Sequence, residues 1–223
     1  MRMPDDLHTT ARGQRLPRTE RRAQLLEAAL RVFTENGYHQ AAMDDIAARA
    51  RVSKPVLYQH FPGKLELYLA LIDRHASELE RLVRDALALG DNKTRIRTMV
   101  AAYFDFVGHE GAAFRLIFES DLANEPEVRS RLDQIVLTCA EAMAGIIRDE
   151  TELGQEEAVM IGVGLVGLAQ TTARHWLSHG DTISKETATR ITGALIRRGI
   201  AGFPAVSRGE AADGRESTVS PAG

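Results

Sequence analysis

Within twelve residues the chain carries a hydroxyl, two ammonium groups, a phenol, a carboxamide and an imidazole: Ser53, Lys54, Tyr58, Gln59, His60 and Lys64. None of these is paired at a spacing that builds a nucleophile with its base, a carboxylate pair or a metal cluster. Their common chemistry is hydrogen bonding to polyanions and base edges. A carboxamide such as that of Gln59 can pair with adenine and an ammonium such as that of Lys54 can donate to guanine, so these two and Ser53 are candidates for base edges. Tyr58, His60 and Lys64 suit phosphate oxygens, which set register without reading sequence. His60 is not read as a metal ligand or catalytic base, because its neighbours are aromatic or proline and no Cys, Asp or Glu stands at ligand spacing.

Such side chains are useful only on an element that fits a groove. Residues 43–64, MDDIAARARVSKPVLYQHFPGK, read as two short helices and a tight turn. Asp44 and Asp45 place acids at the positive end of the first helix, and Ile46 and Ala50 share its buried face. Arg51 and Val52 make the turn. Ser53 is a good N-cap, and Pro55 sits in the first turn, where its fixed φ helps and its missing N–H costs little. Pro62 disfavours helix at Phe61, so the second helix is about two turns long and suits a major groove. Leu57 and Phe61, four apart, should pack the small core, leaving Val56 free to touch a thymine methyl.

SKPVLYQHF, followed by Gly63, Lys64 and an amphipathic helix, resembles the DNA-binding head of the TetR family of bacterial regulators. The preceding NGYHQ and DDIA segments extend the resemblance over roughly 18–71. Two positions depart from the family pattern: Arg51 stands where a turn glycine is common, and Ala42 where a Ser or Thr usually caps and contacts phosphate. The resemblance places Tyr58, His60 and Lys64 near the DNA backbone. With Arg15, Arg18 and Pro55 they complete the candidate DNA-binding set. Residues 1–17, with Arg12 and Arg15, read as a flexible basic arm, either solvated or reaching along the minor groove.

Composition supports a head on a body. The net charge of −3 hides an asymmetry. Through Lys64 there are eleven Lys and Arg against seven Asp and Glu, a surplus of four, and the remainder carries −7. A basic head favours phosphate, and an acidic body stays off it. The longest apolar run, Val159 to Ala169, is far short of the roughly 20 residues a spanning helix needs, and no signal-peptide pattern appears. The expectation is a cytoplasmic protein with no membrane contact. The single cysteine, Cys139, reads as a small core residue rather than a redox thiol.

Helical periodicity runs from Thr19 to Asn36, with Gly37 as a stop, and after Lys64 towards Gly90. Further helices are expected over 92–109, 112–122, 126–150, 155–179 and 185–200, and no strand alternation is evident. The fold class is all-α, with an N-terminal helix-turn-helix head at 18–64, a helical effector-binding and dimerisation body at 65–203, and a small polar tail at 204–223. One head covers too few base pairs, so a homodimer is expected. The resemblance assigns it to the last two long helices, where Gly162, Gly164, Gly167 and Ala169 are small enough for close approach by a partner. Packing inside one subunit is the alternative for these residues. His175 and His179, four apart, could share a metal but have no evident third ligand.

The body concentrates aromatics at Tyr103, Phe104, Phe106, Phe114 and Phe118. An ordinary helical core accounts for most of them. The segments RLPR, LELYL, YFDF, RLIFE, EPEV, GLVG and ISK resemble, within the TetR family, regulators of fatty-acid synthesis from actinobacteria. That resemblance implies a double-stranded operator, activation of synthase genes and release by long-chain acyl-CoA in an apolar tunnel. It puts Tyr103, Phe106 and Leu165 in the lining; continuing their helices adds Leu87 and Met143, and Phe114, Phe118 and Leu168 complete the set. No cofactor and no catalysis are expected: GVGLVG lies inside a helix pattern without a preceding strand, so it is not a phosphate loop. The alternative is a TetR-like repressor answering a drug or another lipophilic ligand.

Overall fold

The computed structural model describes residues 16–109, 111, 114–115, 122, 125–180 and 182–205. Among these residues the regular structure is α-helical. The helices are α1 (Arg18–Gln40), α2 (Met43–Arg49), α3 (Lys54–His60), α4 (Lys64–Leu87), α5 (Asn92–His109), α6 (Pro126–Glu150), α7 (Gln155–Ser178) and α8 (Lys185–Ile200). The helix expected over 112–122, Arg15 and Phe118 lie largely or wholly outside the described residues.

Local chemistry sets the boundaries. Asp91 caps α5, accepting from the Thr94 amide at 2.7 Å and its hydroxyl at 3.1 Å. Those bonds hold the Asp91 carboxyl below its usual range. Ser184 caps α8 by accepting from the Thr187 amide at 3.3 Å. At Gly154 the Glu157 carboxylate reaches back to the α7 N-cap amide at 2.8 Å. α1 is interrupted at Gly37, whose φ of 72° and ψ of 164° break the helix before its last turn. The stop expected there is thus a kink followed by three more residues.

The chain packs as two compact units, Met1–Arg81 with Asp105–Ile135 and Leu82–Phe104 with Val136–Gly223. Neither boundary falls after Lys64, because α4 runs unbroken for 24 residues from that lysine. In the first unit Phe33, Tyr38 and Tyr68 cluster with ring centroids 5.3–5.7 Å apart. Leu25, Ile46, Leu57, Phe61, Leu67 and Leu71 are almost fully buried there. At about 1.5–3 kcal/mol per buried large side chain they supply most of the head's cohesion.

In the second unit Phe104 meets Trp176 at 5.6 Å, and Thr192 donates to Thr172 at 3.3 Å, pinning α8 to α7. Gly162 packs against α6: a Cβ there would stand 2.5 Å from the Ala140 carbonyl oxygen. Its small size therefore serves packing within the chain, whereas Gly164 and Gly167 have open space where a Cβ would be. Pro204 and Ala205, expected in the tail, are tied to the α6–α7 turn by a bridge from Ala205 to Thr151 and by the Glu152 amide donating to the Pro204 carbonyl at 3.1 Å.

Candidate nucleic-acid interface

The α2–α3 connection is closed by the backbone. The Ala50 amide donates to the Ile46 carbonyl at 2.9 Å, Arg51 to Ala48 at 3.0 Å and Val52 to Ala47 at 3.0 Å. This tight reversal requires Arg51 at φ 53°, in the left-handed region that glycine favours. Ser53 occupies the N-cap position of α3 with extended backbone, yet its hydroxyl makes no capping bond. The expected capping role is therefore carried by its carbonyl alone, which accepts from the Val56 and Leu57 amides at 3.0 and 3.2 Å. A hydroxyl not used for capping stays available to an outside partner.

Helix α3 presents two distinct faces. Leu57 is fully buried and Phe61 follows it into the core, as the four-residue spacing requires. Ser53, Lys54, Pro55, Tyr58 and Gln59 are exposed, and Val56 and His60 are half-buried. Tyr58 shows 41% of its surface. Lys54 is paired with Asp44 at 2.8 Å, which raises its pKa and fixes the α3 N-terminus against α2. Burial, and then the Arg18, Arg22 and Arg21 guanidiniums, hold His60 below the usual imidazole value. Its ring is thus neutral near pH 7 and surrounded by positive charge.

Two cation–aromatic contacts were not legible in the sequence. The Arg22 guanidinium lies 4.4 Å over the Phe61 ring, docking α1 on the end of α3. Lys64 stands 4.5 Å over the Tyr38 ring, and its ammonium donates to the Tyr38, His39 and Ala41 carbonyls at 2.8, 3.2 and 2.9 Å. These oxygens are the negative end of α1. Lys64 sits at the positive end of its own helix, where a cation is unfavourable, so its bonding serves the neighbouring helix. Its three donors are directed at protein rather than outward, unlike the phosphate contact expected from the sequence. Only the fold brings residues 23–26 positions apart into this cluster.

The expected effector residues divide between the two units. Leu87, Tyr103, Met143, Leu165 and Leu168 belong to one, Phe106 and Phe114 to the other. Met143, Phe106 and Phe114 are buried, and Leu87, Leu165 and Leu168 are half-buried. Burial, and then Cys139, push the Tyr103 phenol well above its ordinary value, with Arg174 opposing. His75, not singled out by the sequence, is buried and keeps both ring nitrogens without a hydrogen-bond partner. Its ring is 6.1 Å from that of Phe106. Burial first, and then Arg74, hold its pKa low, against Glu78 and Glu27. His175 and His179 stack with centroids 4.3 Å apart, and no group of three potential ligands occurs among the described residues. No helix among them is long and apolar enough to cross a membrane.

Comparison with known proteins converges on this head. Residues 25–71 match the family model for bacterial regulatory proteins of the tetR family. The chain is 46% identical over 194 residues to the HTH-type transcriptional activator FasR of Mycolicibacterium smegmatis, covering 86% of this chain and 89% of that one. A TetR-like transcriptional regulator from Rhodococcus sp. RHA1 superposes with a TM-score of 0.70 at 28% identity, covering 84% of this chain and all of that one. FadR of Bacillus subtilis, solved with stearoyl-CoA, shares the fold with a TM-score of 0.64 at 19% identity, covering 81% and 98%. A short two-faced helix held by a tight turn, on a chain this similar to FasR, identifies a member of the TetR family, a DNA-binding transcriptional regulator and not an enzyme.

Proposed function

We propose that this protein activates fatty-acid-synthesis genes in the cytoplasm and leaves its operator when long-chain acyl-CoA occupies an apolar site in its body. The observation that carries this reading is the 46% identity to the activator FasR, which extends through the body as well as the head. FadR, a regulator of the same fold, holds stearoyl-CoA. Arg18, Ser53, Lys54, Pro55, Tyr58, Gln59 and His60 form the DNA-facing set, with Arg15 preceding it. Lys54 leaves its ion pair with Asp44 for a base edge, and Tyr58 and His60 hold phosphates.

The dimer forms through α7 and α8. On α7, Met160 is 78% exposed and Val163 is exposed; with Gly164 and Gly167 they fall at positions i, i+3, i+4 and i+7, one helix face. On α8, Ile191 and Leu195 are four apart and about half exposed, at 51% and 52%. This stripe of apolar side chains and open glycines is suited to a second copy of itself.

Tyr103, Met143, Leu165, Leu168 and Leu87, which share one unit, receive the acyl chain. Each buried methylene is worth about 0.8 kcal/mol at best, so ten or more can shift a two-state equilibrium by several kcal/mol after ordering costs. The test is a gel shift on fatty-acid-synthase promoter fragments, titrated with acyl-CoAs of increasing chain length. Release only by long chains supports the lipid-sensor reading, and Leu165→Phe should resist that release while binding DNA normally. Binding indifferent to every acyl-CoA would assign the body to another lipophilic ligand.

A further inference from the structure

His60 ends α3 and is half-buried, and no hydrogen bond holds its ring among the described residues. Three guanidiniums face it from α1: Arg18, Arg21 and Arg22 stand at i, i+3 and i+4, on one side of that helix. α1 is docked here through Arg22, 4.4 Å over the ring of Phe61, and Arg21 is steered by Gln24, whose amide oxygen accepts from it at 2.7 Å. Among the described residues no carboxylate opposes the three. Asp44 of α2 is committed to Lys54 at 2.8 Å, and Lys64, which opens α4, is turned to the Tyr38, His39 and Ala41 carbonyls. His60 is therefore a titratable group set against three permanent cations.

A phosphate brought to this cluster changes what the ring experiences. Its oxygen accepts from the imidazole, its charge offsets the guanidiniums, and an opposite charge within about 4–6 Å favours the protonated form by about 1–3 pKa units. We infer that each His60 takes up a proton when α3 docks on DNA and holds its phosphate as an imidazolium, so that operator affinity rises as pH falls. The inference rests on the reading above in which His60 meets a phosphate. Arginine or lysine at this position would be charged at every pH near neutrality, whereas a histidine makes the strength of the contact depend on the proton. In the free protein, burial first and then the guanidiniums hold the ring below its ordinary value. Affinity therefore rises as pH falls from the bound-state pKa towards the free-state pKa, and levels off beneath the latter.

The test uses the full chain as wild type, His60→Gln and His60→Lys on duplex fatty-acid-synthase promoter fragments. Affinity is measured from about pH 5 to 8 at fixed ionic strength, and the protons taken up on binding are counted by calorimetry in two buffers of different ionisation enthalpy. Wild type should gain up to about tenfold in affinity per protomer for each pH unit of acidification within the window. Its log–log salt slope should steepen by up to about 0.9 per protomer towards the acid end. His60→Gln should lose that uptake and that steepening, and His60→Lys should bind at the alkaline end as wild type binds at the acid end. Uptake is counted per complex formed, so a partly folded variant does not mimic the result. Equal proton uptake and parallel pH curves for wild type and His60→Gln would overturn the inference. If His60→Gln is then weaker by a factor that does not change with pH, His60 meets DNA as a neutral donor and the DNA-facing reading stands; if it equals wild type throughout, His60 leaves the DNA-facing set as well.

Discussion

Replacing Lys64 by methionine separates two roles that the sequence alone could not distinguish. The ammonium makes two short bonds, at 2.8 and 2.9 Å to the Tyr38 and Ala41 carbonyls, and a longer one of 3.2 Å to His39. A hydrogen bond to a charged group is worth about 1.5–3 kcal/mol net. The site is only partly buried, so the two short bonds at the low end give about 3 kcal/mol. The cation–aromatic interaction with Tyr38 adds about 0.5–1 kcal/mol. Methionine keeps the stem's packing, and water reaches some of the freed carbonyls, so the expected net loss is about 2–4 kcal/mol. For a chain of this size that corresponds to a fall in Tm of about 6–12 °C. Thermal melts followed by circular dichroism read it directly. Operator affinity titrated between about 50 and 200 mM salt reads the other role, since removing one lysine–phosphate interaction flattens the log–log slope by about 0.9. The structure predicts a lower Tm with an unchanged slope. An unchanged Tm with a flatter slope would show that Lys64 binds phosphate and that its bonds to α1 contribute little.

His75 gives a pH dependence. Its folded pKa is depressed by burial first, and the unfolded chain takes the proton near the ordinary value of about 6.5. The stability linked to it is fully present above that pH and is lost as pH falls through the depressed folded value. His75→Phe should therefore flatten the fall of Tm on acidification; parallel curves for the two proteins would refute this. Gly162→Ala forces a Cβ to 2.5 Å from the Ala140 carbonyl oxygen, an overpacking cost of about 1–3 kcal/mol against a gain of about 1 kcal/mol in helix propensity. Its Tm should fall, whereas Gly164→Ala and Gly167→Ala should stabilise the protomer and weaken the dimer in sedimentation velocity. Gln59→Ala should change base preference in a binding-site selection, while Tyr58→Ala should weaken every sequence alike; the reverse pattern would exchange their roles.

Sequence alone determined what is local. The spans 92–109, 126–150 and 185–200 were legible because helical periodicity is interrupted by residues such as Asn124, Gly154 and Ser184, and such stops act within one turn. The recognition helix was legible for the same reason, with Pro55 inside its first turn, Pro62 beyond its end and Leu57 and Phe61 marking its buried side. The tertiary structure decided what depends on distant partners. It assigned Lys64 to carbonyls more than twenty residues away, set Arg22 over Phe61, and separated Gly162, pressed on Ala140, from Gly164 and Gly167, which have open space. It also left His75 buried without a hydrogen-bond partner and drew Pro204 and Ala205 back to the α6–α7 turn. Periodicity shows which face of a helix is covered, because that follows from 3.6 residues per turn. Which atoms cover it depends on how separate helices are brought together, and no window along the chain contains that information.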